Sequence, residues 1–265
     1  MKGKVAVITG GNGTLGAAFA KGLAEQGAVV YILGRNTEKS QTLIDELKKE
    51  NLFINSLSCD VLDEKVVEQT VNAILKEAGK VDILINAAGG NRPGATITPE
   101  QSLADIAIDQ FKQVTDLNLL GTVIPTLAFS KPMIEQGKGC IINISSMAAQ
   151  LPLTRVVGYS ASKAAVDNFT RWMAVELASK YGEGIRVNAI APGFFIAEQN
   201  RNLLLNEDGS LTPRGETIIN HTPAKRFGKP EELVSTLLWL CDDRSSFVNG
   251  AIIPVDGGFS AFSGV

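Results

Sequence analysis

From its first residues the chain alternates short β-branched, aliphatic runs with longer segments whose apolar positions recur at helical spacing. The apolar runs predict strands over 4–8, 28–33, 53–58, 81–86, 139–145, 184–190 and 251–255. The amphipathic segments predict helices over 15–26, 37–50, 63–78, 108–136 (bent near Pro125 and Pro132), 157–181 and 230–242. Strictly alternating strand and helix is the signature of βαβ units. The expected fold is α/β: one domain spanning 1–265, a doubly wound, seven-stranded parallel sheet flanked by helices, with ligands at the strand C-terminal ends. One region breaks the pattern. Residues 192–229 are rich in Pro, Gly, Asn and charge, and so long an excursion inside a compact domain predicts a substrate lid or binding loop. Within it, Asn206 to Ser210 reads as a solvated turn.

Composition narrows the function classes. At 265 residues, 45% hydrophobic and 20% charged, the chain can build one large core. The net charge is −3 and no basic cluster exceeds Lys48-Lys49, which argues against nucleic acid as a partner. Cys59, Cys140 and Cys241 are far apart, the pattern of reduced thiols in the cytoplasm rather than of disulfides or a metal site. Met1 to Lys4 lead into an apolar run of only four residues, Val5 to Ile8, so no secretory leader is expected; no membrane-spanning segment is expected either. The single histidine, His221, excludes a multi-histidine metal centre and argues against a Ser-His-Asp hydrolase.

Two stretches carry candidate chemistry. Val5 to Thr9 followed by Gly10, Gly11, Asn12, Gly13, Thr14, Leu15 and Gly16 is strand, tight turn, helix, and Gly11-x-Gly13-x-x-Gly16 fits the dinucleotide fingerprint of Rossmann-type sheets. Glycines let backbone approach a pyrophosphate, whose charge is met by free N–H groups at the helix start. The second strand ends at Leu33-Gly34-Arg35-Asn36, without the acid that would hold an NAD ribose. Arg35 is available for a 2′-phosphate, which favours NADP(H) and leaves NAD(H) possible. Asp60 closes the third strand, where it can accept from the adenine amino group, and Asn86-Ala87-Ala88-Gly89 ends the fourth with small residues that admit the adenine ribose.

The second stretch is Ile141 to Ile144, then Ser145-Ser146, then Tyr159-x-x-x-Lys163 opening a helix. Four residues apart, Tyr159 and Lys163 share a helix face. A phenol with a pKa of about 10 is useless near neutrality, and bringing it near 7 requires roughly 4 kcal/mol in favour of phenolate. A cation about 4 Å away offers on the order of 4 kcal/mol at an effective dielectric near 20, so Lys163 alone is expected to do most of it. Ser146, at the strand end, is expected to hold a carbonyl or alcohol oxygen beside the phenol.

Together these residues resemble the short-chain dehydrogenase/reductase family over essentially the whole chain. The match takes in the Gly-rich turn, Asp60-Val61, Asn86-Ala87-Ala88-Gly89, Asn118 within Asp116 to Gly121, and Ser146 thirteen positions before Tyr159. It continues through Lys163, Pro192-Gly193 and Val255 to Gly258. The resemblance implies that Tyr159 is the general acid/base, Ser146 positions the substrate oxygen, Lys163 tunes the phenol and holds the nicotinamide ribose, and Asn118 anchors a proton-relaying water. It also implies a cytoplasmic homotetramer packed through helices 108–136 and 157–181. Three departures stand out. Thr14 occupies a family glycine position next to an extra Gly13, and the turn holds no basic residue for a 2′-phosphate. Ala87 replaces a second Asn. Ala197 stands where many members carry a carboxamide-binding Thr, which leaves more of that work to backbone near Phe195.

More locally, Gly89 to Pro93, Pro192 to Phe195, Glu198 to Arg214 and Gly257 to Val265 resemble the D-mannonate oxidoreductase, or fructuronate reductase, branch. That resemblance implies D-fructuronate and D-mannonate as the substrate pair. Polar residues in the 192–229 segment suit a polyhydroxylated anion, with Asn91, Arg92, Arg155, Gln199, Asn200 and Arg201 as candidate contacts and one of the arginines for the carboxylate. His221 is expected to be a satisfied loop residue, with a substrate contact as the alternative. The rival readings are a gluconate 5-dehydrogenase-like reductase of another polyol or keto acid, and a non-catalytic cofactor-sensing protein.

Overall fold

The structure is a computed structural model that describes residues 1–198 and 200–264. Seven strands form one sheet: β1 (Val5–Thr9), β2 (Val29–Gly34), β3 (Ile54–Ser58), β4 (Ile83–Asn86), β5 (Gly139–Ile144), β6 (Ile185–Pro192) and β7 (Ile252–Val255). Every pairing is parallel, in the order β3-β2-β1-β4-β5-β6-β7. The doubly wound architecture expected from the alternation is the one found, and each strand boundary falls within two residues of the expected one. β1, β4, β5 and β6 are buried along their whole length because helices cover both faces, which is why they read as unbroken apolar runs. Successive strand residues feed opposite cores: Ala6 and Ile8 pack with Phe19 and Leu237, whereas Val5 and Val7 pack with Ile74 and Phe129.

The helices are α1 (Thr14–Glu25), α2 (Thr37–Lys49), α3 (Glu64–Ala78), α4 (Ile108–Thr115), α5 (Gly121–Glu135), α6 (Val157–Tyr181), α7 (Arg201–Leu204), α8 (Pro213–His221) and α9 (Val234–Cys241). Their starts follow local chemistry: Asn36 and Asp63 accept N-terminal N–H bonds of α2 and α3, and Thr212 caps α8 ahead of Pro213. The expected helix 108–136 is continuous and changes winding at a π-helical turn, Asp116–Leu120, with Pro125 and Pro132 both inside α5. By length and composition that run could cross a membrane, yet half of its most apolar window is buried in this fold. The irregular region 192–229, expected as a lid or binding loop, holds two helices, α7 and α8, and His221 ends α8, exposed, with Nδ1 2.8 Å from the Thr217 carbonyl. All three cysteines are buried free thiols.

A line of buried side-chain hydrogen bonds ties the strand ends together beneath the cleft. Asn86 donates to Thr126 (2.8 Å) and to Asn143 (2.9 Å), Asn143 donates to Thr170 (2.9 Å), and Thr170 donates to the Val166 carbonyl (2.8 Å). This line joins α5, β4, β5 and α6, the four elements that carry the candidate catalytic residues or flank them.

Candidate active site

The chain leaves β1 toward β2 on one side and returns from β3 to β4 on the other, and the strand C-terminal ends on either side of that reversal open into a cleft of about 810 Å³. At its floor lies the glycine-rich turn. Gly10 adopts φ +63°, and a Cβ there would stand 2.8–2.9 Å from the backbone of Ala87 and Ala88. A Cβ on Gly16 would lie 2.3 Å from the Gly10 carbonyl oxygen, and one on Gly11 would lie 2.6 Å from the Ile32 side chain. Gly13 is less constrained: its φ is −82° and its Cβ would meet the Gly10 oxygen at 3.2 Å. The steric demand therefore falls on Gly10, Gly11 and Gly16, so Thr14 in a family glycine position is accommodated as the first residue of α1. No side chain caps the start of α1 and no acid stands in its first turn, and Thr14 and Leu15 line the cleft there. A close-approach cradle opening onto bare helix N–H groups fits the pyrophosphate of a dinucleotide.

The outer end of the cleft carries charge. The Arg35 guanidinium is 3.8 Å from the Asp60 carboxylate, whose other oxygen accepts from Leu62 N at 3.1 Å. Lys39, from α2, pairs with Glu198 beyond β6, so one exposed ion pair joins the two lips. Asn12 stands within the turn and donates to the Asn36 carbonyl and the Ser40 hydroxyl, both at 2.9 Å, fixing the turn to the start of α2. Val61, Ala87, Ala88 and Gly89 line the middle, with Ala87 and Ala88 held by the carbonyl and hydroxyl of Thr9.

At the inner end Ser146, Tyr159 and Lys163 converge. Ser146 follows β5 by two residues; its Oγ accepts from Ala148 N at 3.2 Å, and the hydroxyl lies near enough to the Tyr159 phenol to favour its ionised form. Lys163 is one turn further along α6, its Nζ 5.6 Å from the Tyr159 ring centroid and donating to the Ile144 carbonyl at 2.7 Å. Asn118 lies in the π-helical turn, fully buried. Its amide donates to the carbonyls of Gly90 (2.7 Å) and Val114 (2.8 Å), and its Oδ1 accepts from Gly90 N (3.1 Å). A Cβ on Gly89 would stand 2.7 Å from that Oδ1 and 3.4 Å from Lys163 Nζ, so glycine lets the strand end meet both residues.

The electrostatics correct one expectation. In the protein alone, burial pushes the Tyr159 phenol above its usual range and outweighs the opposing bond from Ser146. Burial also lowers the Lys163 ammonium to about 8, against the pull of Asp167. Lys163 thus does not by itself make the phenol acidic: the same low-dielectric surroundings penalise phenolate and ammonium together, and the Nζ is committed to a carbonyl. Asp167, behind Lys163 on α6, is raised by burial and stabilised by the Ser145 hydroxyl.

The candidate substrate residues separate. Asn91 lines the cleft, with its amide nitrogen donating to Thr96 Oγ1 at 2.9 Å. Asn200 also lines it, but its amide is spent on Ala197 N (2.8 Å) and the Phe195 carbonyl (2.9 Å), stapling the turn after β6. Arg92 and Arg201 are exposed and do not line the cleft. Gln199 lies outside the described residues. Arg155 takes the left-handed region, φ +77°, behind Arg214, which does line the cleft. Pro192, Gly193 and Phe195 wall the cleft at the end of β6, and a Cβ on Gly193 would come within 2.7 Å of Asp256. The residue motifs missed was Arg214; its signal was the helix start Thr212-Pro213 directly before it.

Comparison with known proteins agrees with this geometry. A family model described as short chain dehydrogenase matches residues 4–208. The chain is 46% identical to UxuB, an uncharacterised oxidoreductase of Bacillus subtilis (strain 168), over 100% of this chain and 98% of that protein. A crystal structure from Haemophilus influenza, provisionally named a D-mannonate oxidoreductase and holding NAD, superposes with a TM-score of 0.91 at 41% identity, covering 100% of this chain and 98% of that one. A gluconate 5-dehydrogenase from Burkholderia cenocepacia J2315, in complex with NADP and tartrate, gives a TM-score of 0.87 at 32% identity, covering 98% and 96%.

Proposed function

The chain belongs to the short-chain dehydrogenase family and is an oxidoreductase, and on that premise we propose that it interconverts a keto-sugar acid and its alcohol, D-fructuronate and D-mannonate first among them. The observation that carries this reading is the convergence of Ser146, Tyr159 and Lys163 at the inner end of a cleft whose outer end is a dinucleotide cradle. A bound nicotinamide dinucleotide supplies or accepts the hydride. Ser146 holds the ketone oxygen, Tyr159 gives it a proton as charge develops, and Lys163 orders the phenol and the cofactor ribose. Asn118 holds the Gly90 strand end in place beside them.

The absence of an acid at the end of β2, with Arg35 and Lys39 lining that end of the cleft, supports NADP(H) as the preferred cofactor and NAD(H) as a usable one. Residues 192–229 act as the substrate lid in this reading. Exposed Leu120 and Leu127 near and on α5, with Trp172 and Val175 on α6, suit assembly into a homotetramer through those helices, which light scattering in solution tests. A panel of D-fructuronate, D-tagaturonate and 5-keto-D-gluconate, each with NADPH and NADH, tests the substrate. Fastest turnover of D-fructuronate supports the reading, and a preference for 5-keto-D-gluconate moves the chain to the gluconate 5-dehydrogenase type represented by one of its structural neighbours.

A further inference from the structure

Among the described residues four cationic side chains line the cleft: Arg35, Lys39, Lys163 and Arg214. Arg35 and Lys39 stand at the outer end beside Asp60 and Glu198. Lys163 is committed at the catalytic end. Arg214 reaches the Thr154 loop, whose neighbours Leu153 and Val156 line the cleft with it.

Its setting is costly without a ligand. Arg214 is the second residue of α8, where the helix dipole favours an acid over a cation. The guanidinium is about half buried and reaches across from α8 to the loop between β5 and α6, donating to Thr154 Oγ1 and to the Thr154 carbonyl, both at 3.3 Å. Burial first, and then the like charge of Arg155, the neighbour of Thr154 in the chain, lower the hold of Arg214 on its proton. Arg155 is itself presented from a left-handed backbone position that a residue with a Cβ adopts only under constraint. Among the described residues neither arginine has a carboxylate within salt-bridge reach, and Arg155 acts on the exposed Glu100 only from beyond that distance. Burial, a like-charged neighbour and strained backbone all act against this arrangement, and a bound anion relieves the first two at once.

We propose that Arg214, backed by Arg155, is the seat of the substrate carboxylate. Arg214 is thereby the residue that makes this cleft select sugar acids over neutral sugars. The inference rests on the oxidoreductase reading of the cleft and adds to it an anion of stated position: a carboxylate at the end of the substrate remote from the carbonyl held by Ser146 and Tyr159. The 3.3 Å bonds to Thr154 leave the fork free to turn toward a stronger acceptor, and joining α8 to the 150–156 loop makes acid binding a way of closing the cleft.

The test compares the wild type with Arg214→Met, Arg214→Lys and Arg155→Met on D-fructuronate and on the neutral ketose D-fructose, and measures D-mannonate binding to each protein by calorimetry. Arg214→Met is expected to raise KM for the acid and the dissociation constant for D-mannonate about 10–100-fold, at least ten times more than it changes any kcat/KM shown with D-fructose. Arg214→Lys should recover part of the loss, and Arg155→Met should show a smaller one. Unchanged dinucleotide affinity certifies that the variants are folded. Equal losses on acid and neutral ketose, or no loss on either, overturn the assignment. If D-fructuronate proves not to be turned over but D-mannonate or D-gluconate still binds in an Arg214-dependent way, the anion seat stands and the fructuronate substrate does not.

Discussion

Ser145 donates its hydroxyl to the buried carboxylate of Asp167, one turn along α6 from Lys163. The bond fixes the one negative charge that raises the Lys163 pKa. Replacing Asp167 with Asn should lower that pKa below about 8, leaving fewer ammonium groups at neutral pH. Carbonyl reduction should fall about tenfold at pH 7.5 and recover toward the wild-type rate at pH 6, where Lys163 regains its proton. A loss that is the same at both pH values makes Asp167 a packing residue only.

Lys163 itself holds a charge at a cost to the fold. Its pKa is about 8 in the folded protein against 10.5 when free, so the unfolded chain binds the proton more tightly between those values and stability rises with pH across that window. Lys163→Met should therefore stabilise the protein at pH 7 by up to about 3 kcal/mol, less about 1 kcal/mol for the bond lost to Ile144, while abolishing turnover. Urea denaturation checks it: the advantage of the variant should shrink as pH rises from 8 toward 10.5.

Tyr159 is a protonated phenol in the protein alone, with its pKa above the ordinary range. Ketone reduction should accordingly be near its maximum at neutral pH, and alcohol oxidation should climb as the medium becomes alkaline. Tyr159→Phe should reduce both directions by at least a thousandfold, on the order of 4 kcal/mol, with dinucleotide affinity retained. Residual activity above a tenth of wild type removes Tyr159 from the proton transfer.

The glycines of the turn differ in what they tolerate. Gly16→Ala drives a methyl to 2.3 Å from the Gly10 carbonyl, whereas Gly13→Ala meets the same oxygen at 3.2 Å with a favourable φ. The first should weaken dinucleotide binding more than tenfold and destabilise the fold by about 1–3 kcal/mol; the second should change either by less than about 1 kcal/mol. Fluorescence titration with NADPH ranks them, and the reverse order contradicts the geometry.

Arg35→Ala should raise KM for NADPH about tenfold or more and leave that for NADH within about twofold, since only the former carries the charge the guanidinium meets. Equal effects mean that Arg35 serves the adenine alone.

Much of this was legible in the sequence because the signals were local. Unbroken apolar runs marked the strands, the Gly-rich turn marked the start of the first helix, and the four-residue interval from Tyr159 to Lys163 put both on one face. What the sequence hid depends on partners distant along the chain. That Asn200 is consumed by Phe195 and Ala197 depends on the path of the turn after β6. That Arg214 reaches Thr154, 60 positions earlier, depends on α8 folding back over the β5–α6 loop. The phenol argument failed for a related reason: Coulomb attraction scales with one pair, but desolvation depends on every element closing over that pair.

The Lys39–Glu198 contact has a consequence for the traffic of the nucleotide. Both side chains face water, where solvent and salt screen the pair and hold it only loosely. It guides the rims toward each other without locking them, so the spent dinucleotide can depart between cycles with no barrier from this bridge, and ordinary cellular salt is enough to keep the exit open.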